Sequence, residues 1–249
     1  MLFLIFLYGL LFGSFFNVVG LRVPVNQSIV APRSACPKCG HTLKWYELIP
    51  VLSYIFQRGK CSQCKTAISP IYPIVELITG LLFILAPFIL GWSSELFVAW
   101  TLISLLMIIL VSDLAYMIIP DKVLVVFTII LIIEKIIIPH TTTWVFSISG
   151  AAVGFFLLLF LAVISKGGMG GGDIKLFAVI GFVLGPKLVL LAFFLASLFG
   201  AVIGIIGMLL KHFKKREPIP FGPYIVLGTL IAYFYGSNLI IFYFQLLNI

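Results

Sequence analysis

Between Met1 and Val19 the chain carries no charged residue, and stretches of the same apolar character recur along its length. Such runs constrain the fold more tightly than any motif. About 20 residues at roughly 1.5 Å rise cross a hydrocarbon core of about 30 Å, and lipid leaves a spanning backbone only the helix or the closed barrel. Further runs cover Ile71–Leu90, Leu96–Val111, Val123–Ile138 and Trp144–Ile164. Ile174–Leu210 is too long for one crossing, and Gly185-Pro186-Lys187 divides it, because proline removes an amide donor and a mid-membrane lysine is costly. Tyr224–Leu246 completes the set. The expectation is an all-α polytopic membrane protein with about eight transmembrane helices. Met1-Leu2-Phe3-Leu4 lacks the basic n-region of a secretory signal, so the first span is read as retained.

Orientation follows from the sixteen lysines and arginines. With the N-terminus outside and alternating spans, the inner side receives Arg22, Arg33, Lys38, Lys44, Arg58, Lys60 and Lys65, then Lys122, Lys166 and Lys175, then Lys211, Lys214, Lys215 and Arg216. Only Lys135 and Lys187 remain outside, which is the asymmetry of the positive-inside rule. The net charge of +8 therefore encodes topology, and no nucleic-acid partner is expected, since the chain offers no soluble domain to carry a basic face. The cluster Lys211 to Arg216 reads as a contact with anionic headgroups. His140 and His212 near span ends read as solvated.

The one sizeable polar segment, Gly20 to Pro70, holds all four cysteines, as Cys36-Pro37-Lys38-Cys39 and Cys61-Ser62-Gln63-Cys64. Two C-x-x-C pairs at this separation suit a four-thiolate zinc site. The topology places the loop in the reducing cytoplasm, which favours a metal over disulfides. We expect a small cytoplasmic zinc-ribbon-like loop between the first and second spans, with Zn2+ on Cys36, Cys39, Cys61 and Cys64 in a structural role. His41, beside the first pair, is the alternative ligand. Trp45, Tyr54, Phe56 and Ile49-Pro50-Val51-Leu52 are left to pack on the membrane surface or on the knuckles.

Carboxylates are scarce, eight in 249 residues, and two stand at ends of apolar runs. Asp113 ends the third span; Asp173 ends Gly170-Gly171-Gly172-Asp173 after the fifth. Both fall at the inner end of the membrane in the topology above. They are sixty residues apart, so only tertiary packing unites them. Two carboxylates sharing one proton can divide the labour of peptide hydrolysis: one activates a water while the protonated partner polarises the carbonyl. The glycines Gly167, Gly168, Gly170, Gly171 and Gly172 would permit positive φ and close approach of a neighbour. Blander readings stand beside this one. Asp173 suits a helix cap, and Asp113 could face a polar cavity or pair with Lys122 or Lys175.

Gly13-Ser14-Phe15-Phe16-Asn17-Val18-Val19, Arg22-Val23-Pro24, the two cysteine pairs, Tyr72-Pro73-Ile74-Val75-Glu76, Asp113 with Ile119-Pro120-Asp121, Gly168 to Leu176 and Pro220-Phe221-Gly222-Pro223 follow one another in the order of a known family. The chain resembles the bacterial type IV prepilin peptidases, membrane aspartyl proteases of the GxGD type. The resemblance implies Asp113 and Asp173 as the catalytic pair and cleavage of a short basic leader from prepilins or pseudopilins of pilus, competence or secretion systems. It also implies methylation of the new N-terminus with S-adenosylmethionine, for which Gly13, Asn17, Arg22 and Glu76 are candidates. A bacterial cytoplasmic membrane location follows, with loop and site on the cytoplasmic side. The division implied is 1–70, the first helix with a methyltransferase-associated loop, and 71–249, a seven-helix peptidase domain. Acids able to attract a basic leader are Glu47, Glu76, Asp121 and Glu217, although Glu76 is read first as a structural partner of Arg22 or Lys65. The competing classes are a transporter using Asp113 and Asp173 as a proton relay, for which the expected internal repeats are not evident, and a non-enzymatic scaffold. Gly200 to Gly204 reads as a small-residue helix contact.

Overall fold

The computed structural model describes residues 1–138, 143–166, 168–210 and 220–246. Gly167, His140, His212, Glu217 and the cluster Lys211, Lys214, Lys215 and Arg216 lie outside these residues. Among the described residues the apolar runs are helical, because a helix satisfies its own backbone without water. They are α1 (Leu2–Arg22), α2 (Leu52–Phe56), α3 (Ile71–Leu90), α4 (Glu95–Tyr116), α5 (Asp121–Ile137), α6 (Trp144–Ile164), α7 (Gly171–Leu209) and α8 (Gly222–Leu246). All but α2 and α5 are long and apolar enough to cross a membrane; α5 has 17 residues.

The 39 residues of α7 are two helices end to end. Gly185 has φ 75° and ψ 177°, and the ring of Phe146 occupies the place of a Cβ there, so only glycine fits. Pro186 follows with no amide to lose. Counting both halves of α7, the expected spans are α1, α3, α4, α5, α6, α7 twice and α8. Several boundaries move by a few residues, and two of the shifts bear on the acids. Helix α4 runs past Val111 to Tyr116, so Asp113 sits on the helix itself, and α7 starts at Gly171, before Ile174.

The chain packs as two compact units, Met1–Ser112 and Asp113–Ile249, divided within α4. In the first, α1 and α3 run antiparallel through glycine contacts. A Cβ on Gly9 would stand 2.7 Å from the Gly80 Cα, and one on Gly13 2.7 Å from the Glu76 Cα. Phe12, Phe83 and Trp100 stack in series at 6.0 and 5.9 Å, and the Trp100 indole donates to the Phe83 carbonyl at 3.1 Å. Helix α4 supplies the innermost side chains, with Leu102, Leu105, Leu106, Met107 and Ile109 fully buried.

In the second unit α6 and α7 approach most closely. Gly150 lies against the Gly181 carbonyl and Gly154 against that of Phe177, with no room for a Cβ at either. Small-xxx-small spacing thus operates at 150/154 and 181/185. At Gly200, in the pair expected from sequence, contact is looser: a Cβ there would stand 3.3 Å from the Tyr224 ring. Helix α8 packs on the second half of α7, where Gly228 meets the Ala192 carbonyl and Ala196.

Candidate functional site

Asp113 lies in the last turn of α4, before the chain turns through Met117 at φ 54°. The residue is 6% exposed, and its carboxylate accepts the Gly222 N–H at 2.7 Å, at the first residue of α8. That amide belongs to a helix start, where unsatisfied N–H groups and the dipole receive an anion. Gly222 is needed for this seat, because a Cβ would come within 2.6 Å of Asp113 Oδ2. Pro223 follows in the first turn, where its missing amide costs nothing.

Asp173 occupies the first turn of α7 and accepts the Gly170 N–H at 3.2 Å, while its own N–H donates to the Gly170 carbonyl at 3.1 Å. It is therefore a cap, in keeping with the blander reading. It is also within electrostatic reach of Asp113, in the same unit. The two acids thus stand on separate helices of one unit, near enough for their charges to interact. Each uses one oxygen on a backbone amide, and among the described residues the other oxygen has no protein partner.

The glycine cluster differs from expectation in how it works. None of Gly168, Gly170, Gly171 and Gly172 has positive φ, and Gly171 and Gly172 are helical. What Gly172 provides is close approach, since a Cβ would stand 2.7 Å from the Ile119 Cβ. The loop before α5 thereby rests on the start of α7. Lys175 reaches Asp121 across the same contact at 2.7 Å, an exposed pair, so Lys175 is not the partner of Asp113. Asp113's partner is the Gly222 amide instead.

In the first unit the four thiols converge. The Cys36 and Cys64 sulfurs are 3.7 Å apart, those of Cys39 and Cys61 3.9 Å, and all four lie within 4.8 Å of one another. A tetrahedral ion with sulfur at about 2.3 Å sets sulfur–sulfur edges of about 3.8 Å, so the cluster fits a metal of that size. Each C-x-x-C segment forms its own knuckle, and the two are built alike. Ala35 bridges Thr42 and Lys60 bridges Ala67, Cys36 N–H donates to His41 and Cys61 N–H to Thr66, and the residue after the second thiol, Gly40 or Lys65, has φ 70° or 58°. Hydrogen bonding by Thr66 holds the Cys64 thiol down to about 6. At Cys39 the His41 amide favours the thiolate, yet burial and the neighbouring sulfurs push it up to about 11. Such a set surrenders its remaining protons to a metal.

The sequence offered Glu47 only as an acid able to attract a basic leader, and its place in the loop was missed. It is buried, accepts from the Lys44 amide at 2.8 Å and the Ser62 hydroxyl, and meets His41 Nε2 at 3.0 Å, thereby joining the two knuckles. The Lys44 amide, then Ser62, hold its carboxyl down to about 2. His41 is accordingly engaged with Glu47 and stands outside the thiol cluster. Only the capping signature of an acid three residues after Lys44 hinted at this role.

Residues 7–90 match the bacterial peptidase A24 N-terminal domain family, and residues 100–205 match the type IV leader peptidase family. Over 246 residues, 99% of both chains, the sequence is 47% identical to a prepilin leader peptidase/N-methyltransferase of Bacillus subtilis. Like-named proteins of Pseudomonas aeruginosa and Aeromonas salmonicida are 34% and 33% identical, over 96% and 95% of this chain and 92% and 91% of theirs. The chain belongs to the type IV leader peptidase family. No solved structure matches it at a significant level. The transporter reading finds no support among these leader peptidase relatives.

The residues expected to serve methyl transfer lie in the first unit, which contains the N-terminal family match. Gly13, Asn17 and Glu76 line the α1–α3 seam; the Asn17 amide donates to the Tyr72 carbonyl at 3.1 Å, and its buried Oδ1 has no partner. Glu76 is buried, accepts the Val51 N–H at 2.8 Å and meets Ser14, so its partners are neither Arg22 nor Lys65. Arg22 donates to the Ser28 carbonyl at 3.0 Å. Glu47 and Glu76 are thus committed inside the protein, leaving neither free to attract a basic leader.

Proposed function

We propose that this leader peptidase family member cleaves prepilin or pseudopilin leaders with Asp113 and Asp173 as its catalytic pair. The reading is supported by the placement of these two acids, from α4 and α7, in one unit and near enough for their charges to interact. One carboxylate takes a proton from water, whose oxygen attacks the scissile carbonyl; the protonated partner polarises that carbonyl and supplies the proton for the departing amine. The amides of Gly222 and Gly170 hold one oxygen of each acid, leaving the other for water and substrate. The reaction consumes one water and breaks one C–N bond.

The topology from basic residues puts both acids at the cytoplasmic face of a bacterial cytoplasmic membrane. A leader with a charged cytoplasmic part and an apolar helix in the bilayer meets them at that depth. N-methylation, named in the relatives, is assigned to the region expected over 1–70 together with Glu76, and peptidase chemistry to 71–249. S-adenosylmethionine supplies the methyl group when bound. Among Gly13, Asn17, Arg22 and Glu76, the orphan buried oxygen of Asn17 is the feature that favours a ligand there; Gly13 and Glu76 are occupied by packing, so their contribution requires the seam to open. Zn2+ is assigned to the four thiols, on the fit of their spacing.

Co-expression with a prepilin, followed by mass measurement of the pilin N-terminus, tests both steps. Loss of the leader plus one methyl group is expected. An intact leader contradicts the peptidase, and cleavage without the methyl group contradicts the second activity.

A further inference from the structure

Helix α2 has its amphipathicity inverted. Leu52, Ile55 and Phe56, spaced i, i+3 and i+4 and so on one face, are 51, 60 and 81% exposed. The inward residues are the polar ones: Tyr54 directs its hydroxyl at the Ile68 carbonyl and lies under Gly59, and Ser53 is half-buried. A segment facing water has the opposite pattern. Just before α2, Trp45 is exposed with its ring edge-on to Tyr46, and Leu48 and Ile49 are exposed as well.

The depth of this face is fixed inside the same unit. Val51, at the start of α2, donates to Glu76, five residues into α3 or about 8 Å from its first residue. The Glu76 Cα in turn lies beside Gly13, nine residues or about 13 Å before the end of α1 at Arg22. Two membrane-spanning helices therefore agree that α2 is attached alongside their ends, below the exit of α1, rather than standing off the bilayer. The attachment is specific enough to hold Val51, a β-branched residue, at φ 61° and ψ −51°. Flanking the segment in sequence are exposed Lys44, Arg58 and Lys60, with the Lys44 ammonium 5.9 Å from the Tyr46 ring centre.

We propose that Trp45–Phe56 is an interfacial element whose occupant is the lipid bilayer: Leu52, Ile55 and Phe56 enter the acyl boundary, Trp45 and Tyr46 sit among the headgroups, and Lys44, Arg58 and Lys60 meet anionic lipid. The element moors the thiol cluster to the membrane at a fixed height. It is independent of which reaction the chain performs.

The full-length protein in vesicles of phosphatidylglycerol and phosphatidylcholine provides the test. Phe56→benzoylphenylalanine, irradiated and analysed by mass, is expected to give a lipid adduct several-fold above the same probe at exposed Lys38 between the thiols. Equal yields at the two positions, or an adduct with protein alone, overturn the proposal. The unmodified protein gives a second reading: lipids brominated on the acyl chain should quench the Trp45 emission, obtained as the difference between wild type and Trp45→Phe. Emission quenched by aqueous iodide but not by brominated lipid overturns it as well.

Discussion

Gly222 lets Asp113 sit against the first turn of α8 because nothing but hydrogen extends from its Cα. In Gly222→Ala the added carbon meets Asp113 Oδ2 at 2.6 Å and its Cβ at 2.7 Å, and the buried carboxylate has to move. Displacement of a reacting group by about 1 Å costs on the order of a hundredfold in rate, so leader cleavage should fall by about that factor. Thermal unfolding in detergent checks that α8 survives the change. Lys175→Ala should do little, since its pair with Asp121 is exposed and worth at most about 1 kcal/mol; a Tm shift larger than that implies would contradict the assignment. The two aspartates were legible in the sequence because charge is rare in apolar runs. The Gly222 amide was not, since a backbone donor leaves no trace in residue type, and neither was the role of Glu47, whose partners come from opposite knuckles.

At the level of elements, hydropathy located nearly every span, and Gly185-Pro186 located the break in α7, because both signals are local. Contacts between helices were harder. Several small-xxx-small pairs compete in the second unit, and the sequence reading named 200/204, whereas the closest approach among them occurs at 150/154 against 181/185. The pattern names candidates, but only packing selects among them. Gly150→Leu should therefore separate α6 from α7 and abolish accumulation of folded protein, while Gly200→Ala, with its nearest neighbour at 3.3 Å, should be tolerated, as size-exclusion profiles would reveal. Gly185→Ala combines a positive φ with a clash on Phe146 and should lower the Tm of the detergent-solubilised protein markedly. The glycines before Asp173 suggest flexibility in the sequence, yet glycine permits positive φ without requiring it; here a neighbouring isoleucine uses the missing Cβ.

For the molecule as a whole, one chain joins a thiol-knuckle unit to a unit holding paired acids. The four sulfurs already stand at the spacing of a bound metal, which the loop has little apolar core to achieve unaided. A strong chelator, or Cys61→Ser, should open the loop to protease and diminish methylation more than cleavage, since Asp113 and Asp173 lie in the other unit. Equal loss of both activities would show that the loop supports the peptidase too. The most direct measurement takes purified wild type, Asp113→Asn and Asp173→Asn, reconstituted in lipid with a prepilin, and weighs the pilin N-terminus over time. Asparagine nearly preserves shape and removes the acid, so both variants should insert normally and cleavage should drop by at least about a hundredfold in each. Cleavage at the wild-type rate by either variant contradicts a two-carboxylate mechanism.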